Sequence, residues 1–191
     1  MNKEVRSFAI ETRDSQNSEM ICEGYAAVTD QSTVLYEIDG VQYNEVMVRG
    51  CFDGADLTDV PFKYNHSDSV MIMARTRNKT LDLAVDDKGL KINARLADTT
   101  AGNDLYKLLK RGDIDKMSFA FTVKEDSYDR DTRTRKILKV AKIWDVAAVD
   151  TPAYDTTSIN ARSYFELERE KEQKELDNSE LRKRLIISTL Y

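Results

Sequence analysis

Three side chains could together perform acyl transfer, and each stands in a setting that asks for an explanation. His66, in Lys63-Tyr64-Asn65-His66-Ser67-Asp68, is the only histidine in the chain. An imidazole with its ordinary pKa of about 6.5 can take up and return a proton near neutrality. Ser118 lies in Met117-Ser118-Phe119-Ala120-Phe121-Thr122-Val123. Strand alternation there puts Met117, Phe119, Phe121 and Val123 on one face and Ser118, Ala120 and Thr122 on the other. A serine on a face cleared of bulk is open to an approaching carbonyl, but its hydroxyl is a weak nucleophile without a base. Asp145 sits between Trp144 and Val146 in an otherwise apolar run, where a carboxylate must be paired or hydrogen-bonded.

Each residue also has an ordinary reading. A lone histidine serves as a structural hydrogen-bonding group, Ser118 as a solvent-facing residue of an amphipathic strand, and Asp145 as an edge-strand residue turned to water. Asp68 and Asp150 are alternative partners for the imidazole. Cys22 and Cys51 lie in no motif that would activate a thiol and read as core residues.

The elements that must position these groups are mostly β. Ser7–Glu11 and Met20–Val28 are strand-like, separated by the turn cluster Asp14–Ser18, and Gly24 marks a bulge or a close backbone approach. Val34–Ile38 and Val41–Val48 flank Asp39-Gly40, a hairpin signal because both central residues of such a turn take positive φ. Gly54–Leu57 reads as a short helical turn. Thr80–Val85 and Leu90–Leu96 alternate on either side of Asp86–Gly89 and form a second hairpin. One helix is well signalled: Thr99 or Thr100 can cap it, Leu105, Leu108 and Leu109 share a face, and Lys107, Lys110 and Arg111 precede Gly112. Asp126–Arg135 reads as a charged, flexible connection, and Lys136–Val149 as strand. From about Ser163 the chain is charge-dense, with pairs such as Glu170 with Lys174 and Glu180 with Arg184 supporting a helix. Its leucines do not sustain a heptad.

Composition narrows the function. The chain has 191 residues, 41% apolar and 33% charged, enough for one domain with a core and an appendage. The net charge of −5 argues against a partner bound by broad phosphate neutralisation, so no nucleic acid is expected. No run approaches the roughly 18 apolar residues of a membrane span, and the N-terminus lacks a secretory apolar region. Two scattered cysteines and one histidine suggest neither disulfides nor a zinc site. No metal or cofactor is expected, and the setting is a reducing cytosol.

Several stretches, in this order and spacing, are similar to the prohead maturation proteases of tailed bacteriophages, serine peptidases related to the herpesvirus assemblins. They are Glu23-Gly24-Tyr25-Ala26-Ala27-Val28, Arg49-Gly50-Cys51-Phe52-Asp53, Tyr64-Asn65-His66 with Ala74-Arg75, and Gly89-Leu90 with Asp98-Thr99. Arg111 through Phe121, Trp144 through Val149, and Thr151-Pro152-Ala153-Tyr154 complete the match, which spans about residues 5–162. The resemblance implies that His66 is the base, Ser118 the nucleophile and Asp145 the acid that orients the histidine. Arg49 and Cys51 replace the usual Pro and Ala, Ala147 stands where Ser is common, and the late acid is often Glu. The Ser-His-His arrangement of the assemblins is excluded by the single histidine.

The implied fold is an α+β, mainly β architecture: an assemblin-like antiparallel or mixed β-barrel surrounded by helices. A catalytic domain over residues 1–162 would be followed by a charged helical extension over 163–191. The implied function is a serine endopeptidase of a phage or prophage. It would work in the bacterial cytoplasm inside the assembling procapsid, on the scaffolding segment of the major capsid protein and on itself. A homo-oligomer is left open. The rival readings are a non-enzymatic β-barrel assembly module and an esterase using the same three groups.

Overall fold

The computed structural model describes residues 3–14, 19–38, 40–150 and 158–189. The strands are β1 (Lys3–Asp14), β2 (Met20–Val28), β3 (Ser32–Ile38), β4 (Val41–Met47), β5 (Pro61–Tyr64), β6 (Ala74–Arg75), β7 (Leu81–Val85), β8 (Gly89–Arg95), β9 (Lys116–Asp129) and β10 (Thr134–Val149). The helices are α1 (Thr100–Arg111) and α2 (Ser158–Thr189). Among the described residues no helix is long and apolar enough to cross a membrane.

The strands run in the order β3-β4-β10-β9-β1-β2-β8-β7, with β5 paired to β10 and β6 to β5. Most ladders are antiparallel, but β10 takes both β4 and β5 in parallel, so the sheet is mixed. β1 joins its two halves. Lys3 to Ala9 pair with β9, and Ile10 to Asp14 with β2. Where the strand changes partner, Gly24 lies against it. A Cβ on Gly24 would stand 2.7 Å from the Ala9 carbonyl oxygen, the close approach its position in the apolar run suggests.

The apolar alternation of β9 drives one main core. Met117, Phe119 and Phe121 are fully buried, with the two phenylalanine rings stacked at 4.8 Å. They pack with Phe62, Leu90, Ile92, Ile137, Ile143 and Val146, and with both cysteines. Burial pushes each thiol up to about 12, so both are inert apolar fillers at neutral pH. Helix α1 packs on β1 and β2 through Leu105 and Leu109. The Thr99 hydroxyl accepts from Gly102 N–H at 3.2 Å, and Gly112 (φ 83°) closes the helix in the left-handed conformation.

A group of buried charges was not foreseen. Arg6 donates to Glu45 at 2.5 and 2.6 Å and to Glu4 at 2.8 Å, while Arg135 donates to Glu4 at 2.8 and 2.9 Å and to Asp126 at 2.6 Å. Each arginine has several carboxylate oxygens, which is what a charge away from water requires. Because β1 and β4 are three places apart in the sheet order, the Arg6–Glu45 pair also shows that the sheet curls on itself.

Curling does not amount to closure. Among the described residues no ladder joins β3 to β1 or β7. A groove of about 570 Å³ lies there, lined by Ser7, Phe8 and residues 31–37. The expected closed barrel is thus an open, curled, mixed sheet, and the helices sit beside it and do not surround it. The expected flexible connection at Asp126–Arg135 is a hairpin instead: β9 runs to Asp129, Arg133 takes φ 49°, and β10 starts at Thr134. Two cross-strand pairs tie it, Arg135 with Asp126 and Lys136 with Asp129, and Arg130 at its tip pairs with Glu175 on α2. Residues 54–57 form turns and a single bridge, not a helical turn. The β3–β4 hairpin is present, with Ile38 opposite Val41. Asp39, the turn at 15–18 and Thr151–Tyr154 lie outside the described residues.

Helix α2 begins five residues before the composition changes. Phe165 on its first turns is fully buried, 5.2 Å from Tyr43 and 5.4 Å from Tyr36 ring to ring. Further along, Leu167, Leu176 and Leu181 are exposed.

Candidate active site

β9 presents Ser118 on the face opposite the phenylalanine core, and the register fixes its neighbours. Ser118 lies across from Ser7 on β1 and from Ala147 on β10, and Ala147 lies across from Lys63 on β5. Ser7, Ser118, Ala147 and Lys63 therefore form a row across four strands. Ser118 is not solvent-facing: its exposure is 0%.

Asp145 reaches this face through a bulge. Ile143 stands opposite Phe121, yet Asp145 stands opposite Ala120, with the register shift between them. An unshifted ladder would set Trp144 against Ala120 and Asp145 against Phe119, in the apolar core. The extra residue turns Asp145 to the Ser118 side. Trp144 takes up the irregularity, donating from Nε1 to Thr122 Oγ1 at 2.7 Å. β10 is interior to the sheet, so Asp145 is not an edge residue, and its exposure is 1%.

His66 is delivered by the turn after β5. Asn65 and His66 both adopt positive φ, 49° and 54°, unusual for residues other than glycine, although asparagine tolerates it. Asn65 is pinned on three sides. Its N–H donates to the Ala148 carbonyl at 2.9 Å and its Nδ2 to Asp150 Oδ2 at 2.9 Å, and its Oδ1 accepts from the Asp150 N–H at 3.2 Å. Tyr64 O–H also donates to Asp150, at 2.6 Å. The chain thereby folds His66 back over β10.

Nδ1 of His66 hydrogen-bonds Asp145 Oδ1. An ionised carboxylate only accepts, so Nδ1 carries the hydrogen and Nε2 is left as the acceptor. Asp145 Oδ2 accepts from Lys3 Nζ at 2.7 Å, and Lys63 Nζ lies 4.0 Å away. Burial pushes the Asp145 carboxyl up, while the hydrogen bond and charge of His66 and those of Lys3 push it down. The latter prevail and hold it below the usual carboxylate range. Asp68 pairs with Lys63 and Asp150 with Asn65 and Tyr64, so neither alternative carboxylate makes the hydrogen bond to the imidazole.

Two buried polar atoms on this face have no hydrogen-bond partner among the described residues, Ser118 Oγ and His66 Nε2. They are the atoms between which a proton would pass if the serine were a nucleophile and the histidine its base. Buried polar atoms are ordinarily satisfied, and exceptions concentrate where chemistry needs them. Among the described residues no group of three or more His, Cys, Asp or Glu could hold a metal ion.

The sequence reading singled out Ser118, His66 and Asp145. It missed Lys3, for which no local signal exists, and the holding role of Asn65 and Asp150. An asparagine before a functional histidine was the available hint for Asn65, since asparagine favours the left-handed turn.

The family model described as caudovirus prohead serine protease matches residues 7–172. Among solved structures, the bacteriophage T4 capsid assembly protease gp21 is similar at 13% identity with a TM-score of 0.44, covering 76% of this chain and 98% of that one. Among curated proteins none matches.

Proposed function

The chain belongs to the caudovirus prohead serine protease family, and we propose that it is a serine endopeptidase in which Ser118, His66 and Asp145 act together. Membership supports a protease of phage capsid maturation; the residue roles, substrate and domain division are our reading. Ser118 Oγ attacks the scissile carbonyl carbon as His66 Nε2 takes its proton. The tetrahedral intermediate then collapses, and Nε2–H protonates the leaving amine. Water repeats the sequence on the acyl-enzyme and frees the serine. Asp145 keeps the imidazole in the tautomer that presents Nε2 as a base and stabilises the imidazolium.

The observation that carries this reading is the pair of unpartnered buried atoms, Ser118 Oγ and His66 Nε2, beside a histidine whose other nitrogen is bound to a buried carboxylate. A solvent-facing serine on an assembly module has no need of either.

The substrate is the scaffolding segment of the major capsid protein, together with the protease itself, inside the assembling procapsid. Residues 1–162 form the catalytic domain, and 163–191 the charged extension. The first turns of that extension are anchored on the sheet by Phe165, and the remainder docks on scaffold or is removed by self-cleavage. Deleting residues 173–191 leaves the anchored turns in place; unchanged packaging and self-processing of that variant would exclude the docking role. The site itself is tested by co-expression with the cognate capsid protein. The wild type shortens the capsid chain and Ser118→Ala does not, whereas equal processing by both removes the mechanism.

A further inference from the structure

We infer that Lys3 is a positioning residue: its ammonium, 2.7 Å from Asp145 Oδ2, fixes the carboxylate that holds His66, so that docking of the first strand on β9 is part of assembling the site. The inference rests on the proposed roles of Ser118, His66 and Asp145.

A carboxylate with one partner can rotate about its Cβ–Cγ bond and release it. Here Oδ1 is bound to His66 and Oδ2 to Lys3, so both oxygens are held and the carboxylate plane is set. The sheet register shows why a lysine is needed. Val5, Ala120 and Asp145 lie in one row, and Lys3 is paired with Thr122 one step further along the same face. From β1 it must reach across β9 to β10, two inter-strand spacings of roughly 4.8 Å each. A long side chain ending in a cation spans this; a short polar one does not. Neither Thr122 nor Ala120, the β9 residues crossed, carries charge.

The remaining charges around the pair are accounted for. From β5, Lys63 lies 4.0 Å from Asp145 Oδ2 but is also paired to Asp68. At the end of β10, Asp150 is engaged by Tyr64 and Asn65. Lys3 is therefore the cation in hydrogen-bond contact with the far oxygen of Asp145, with Lys63 behind it. Its charge offsets part of the negative charge of the carboxylate. Lys3 thus holds geometry and keeps the base available, without touching substrate.

The test uses the full chain with the cognate capsid protein as substrate, comparing wild type, Lys3→Met, Lys3→Gln, Lys3→Arg and Ser118→Ala. Lys3→Met lowers kcat about tenfold with KM unchanged, since an unpinned base costs about an order of magnitude of general-base catalysis. It also moves the acid limb of the kcat/KM–pH profile upward by roughly 0.5–1 pH unit, the screened effect of one lost charge. Lys3→Gln shows the same displaced limb because it too lacks charge, and Lys3→Arg restores both rate and limb. A merely structural lysine would alter the melting temperature and leave the limb in place. Wild-type kcat and limb in Lys3→Met, beside an inactive Ser118→Ala, overturn the inference alone. Failure of Lys3→Arg to restore either quantity also overturns it. Undiminished cleavage by Ser118→Ala overturns the reading of the site and the inference with it.

Discussion

Asp145 stands across the strand pair from Ala120, although an unshifted count from Ile143 and Phe121 would set it against Phe119. The bulge at Trp144 thus sets this carboxylate beside a serine and not in the core. Deleting Trp144 should restore the regular ladder with Asp145 directly after Ile143 and still opposite Ala120. The expected result is retained capsid-protein cleavage together with destabilisation of about 1 kcal/mol, the net worth of the lost hydrogen bond from Trp144 to Thr122. Urea unfolding of the deletion variant checks the second figure.

Asp145→Asn keeps the shape of the site but lets Nδ1 accept, which favours the wrong tautomer of His66. Cleavage should fall by roughly 10³–10⁴-fold, with circular dichroism unchanged. Asp68→Asn, which alters only an exposed pair with Lys63, should retain near-wild-type cleavage. A reversal of the two would assign the orienting role to the wrong carboxylate.

The depressed Asp145 carboxyl also gives stability a pH dependence. A group whose pKa is lower folded than unfolded stabilises the fold above its unfolded pKa, about 3.9 for aspartate. That stability is lost as pH falls through the folded value. The melting temperature of the wild type should therefore fall with acid below about pH 4 more steeply than that of Asp145→Asn. Parallel curves would show that the carboxylate gains nothing from His66 and Lys3.

Asn65→Ala removes the two side-chain hydrogen bonds to Asp150 and places alanine at φ 49°. A loss of about 1–3 kcal/mol is expected, along with slower cleavage because His66 is no longer held over β10. Asn65→Gly relieves the backbone but not the lost bonds, and should fall between the two in melting temperature and in rate.

Phe165→Ala empties the centre of the aromatic cluster formed by Tyr36, Tyr43, Tyr128 and Tyr164. A cost of about 3 kcal/mol is expected, read as a lower melting temperature. Labelling of Ser118 by a fluorophosphonate should continue, because this cluster lies apart from the main core that carries β9.

How far the sequence carries can be judged residue by residue. The period-two run around Ser118 and the capped, leucine-faced α1 are legible because local sterics and burial dictate them. Asp145 is conspicuous as a charge among apolar neighbours, but the bulge that aims it depends on pairing with β9 and leaves no local trace. Lys3 is illegible for the same reason, since its partner is brought in only by the fold. The charges of 126–135 look like a flexible link because the partners of Arg135 and Arg130, Asp126 across the hairpin and Glu175 on α2, are brought in only by the fold. The open edge between β1 and β3 is likewise a matter of tertiary curvature, which alternation patterns do not encode.

β1 pairs with β9, far along the chain, and β5 with β10. Non-local and parallel pairings of this kind form late, since the entropy of closing long loops must first be overcome. During synthesis from the N-terminus, Ser118 leaves the ribosome after His66 but before Asp145 and the rest of β10, to which the Asn65 turn is bonded. An incomplete chain thus carries the serine but no aligned base. If Ser118, His66 and Asp145 act together as proposed, hydrolytic capacity arises only with completion of β10.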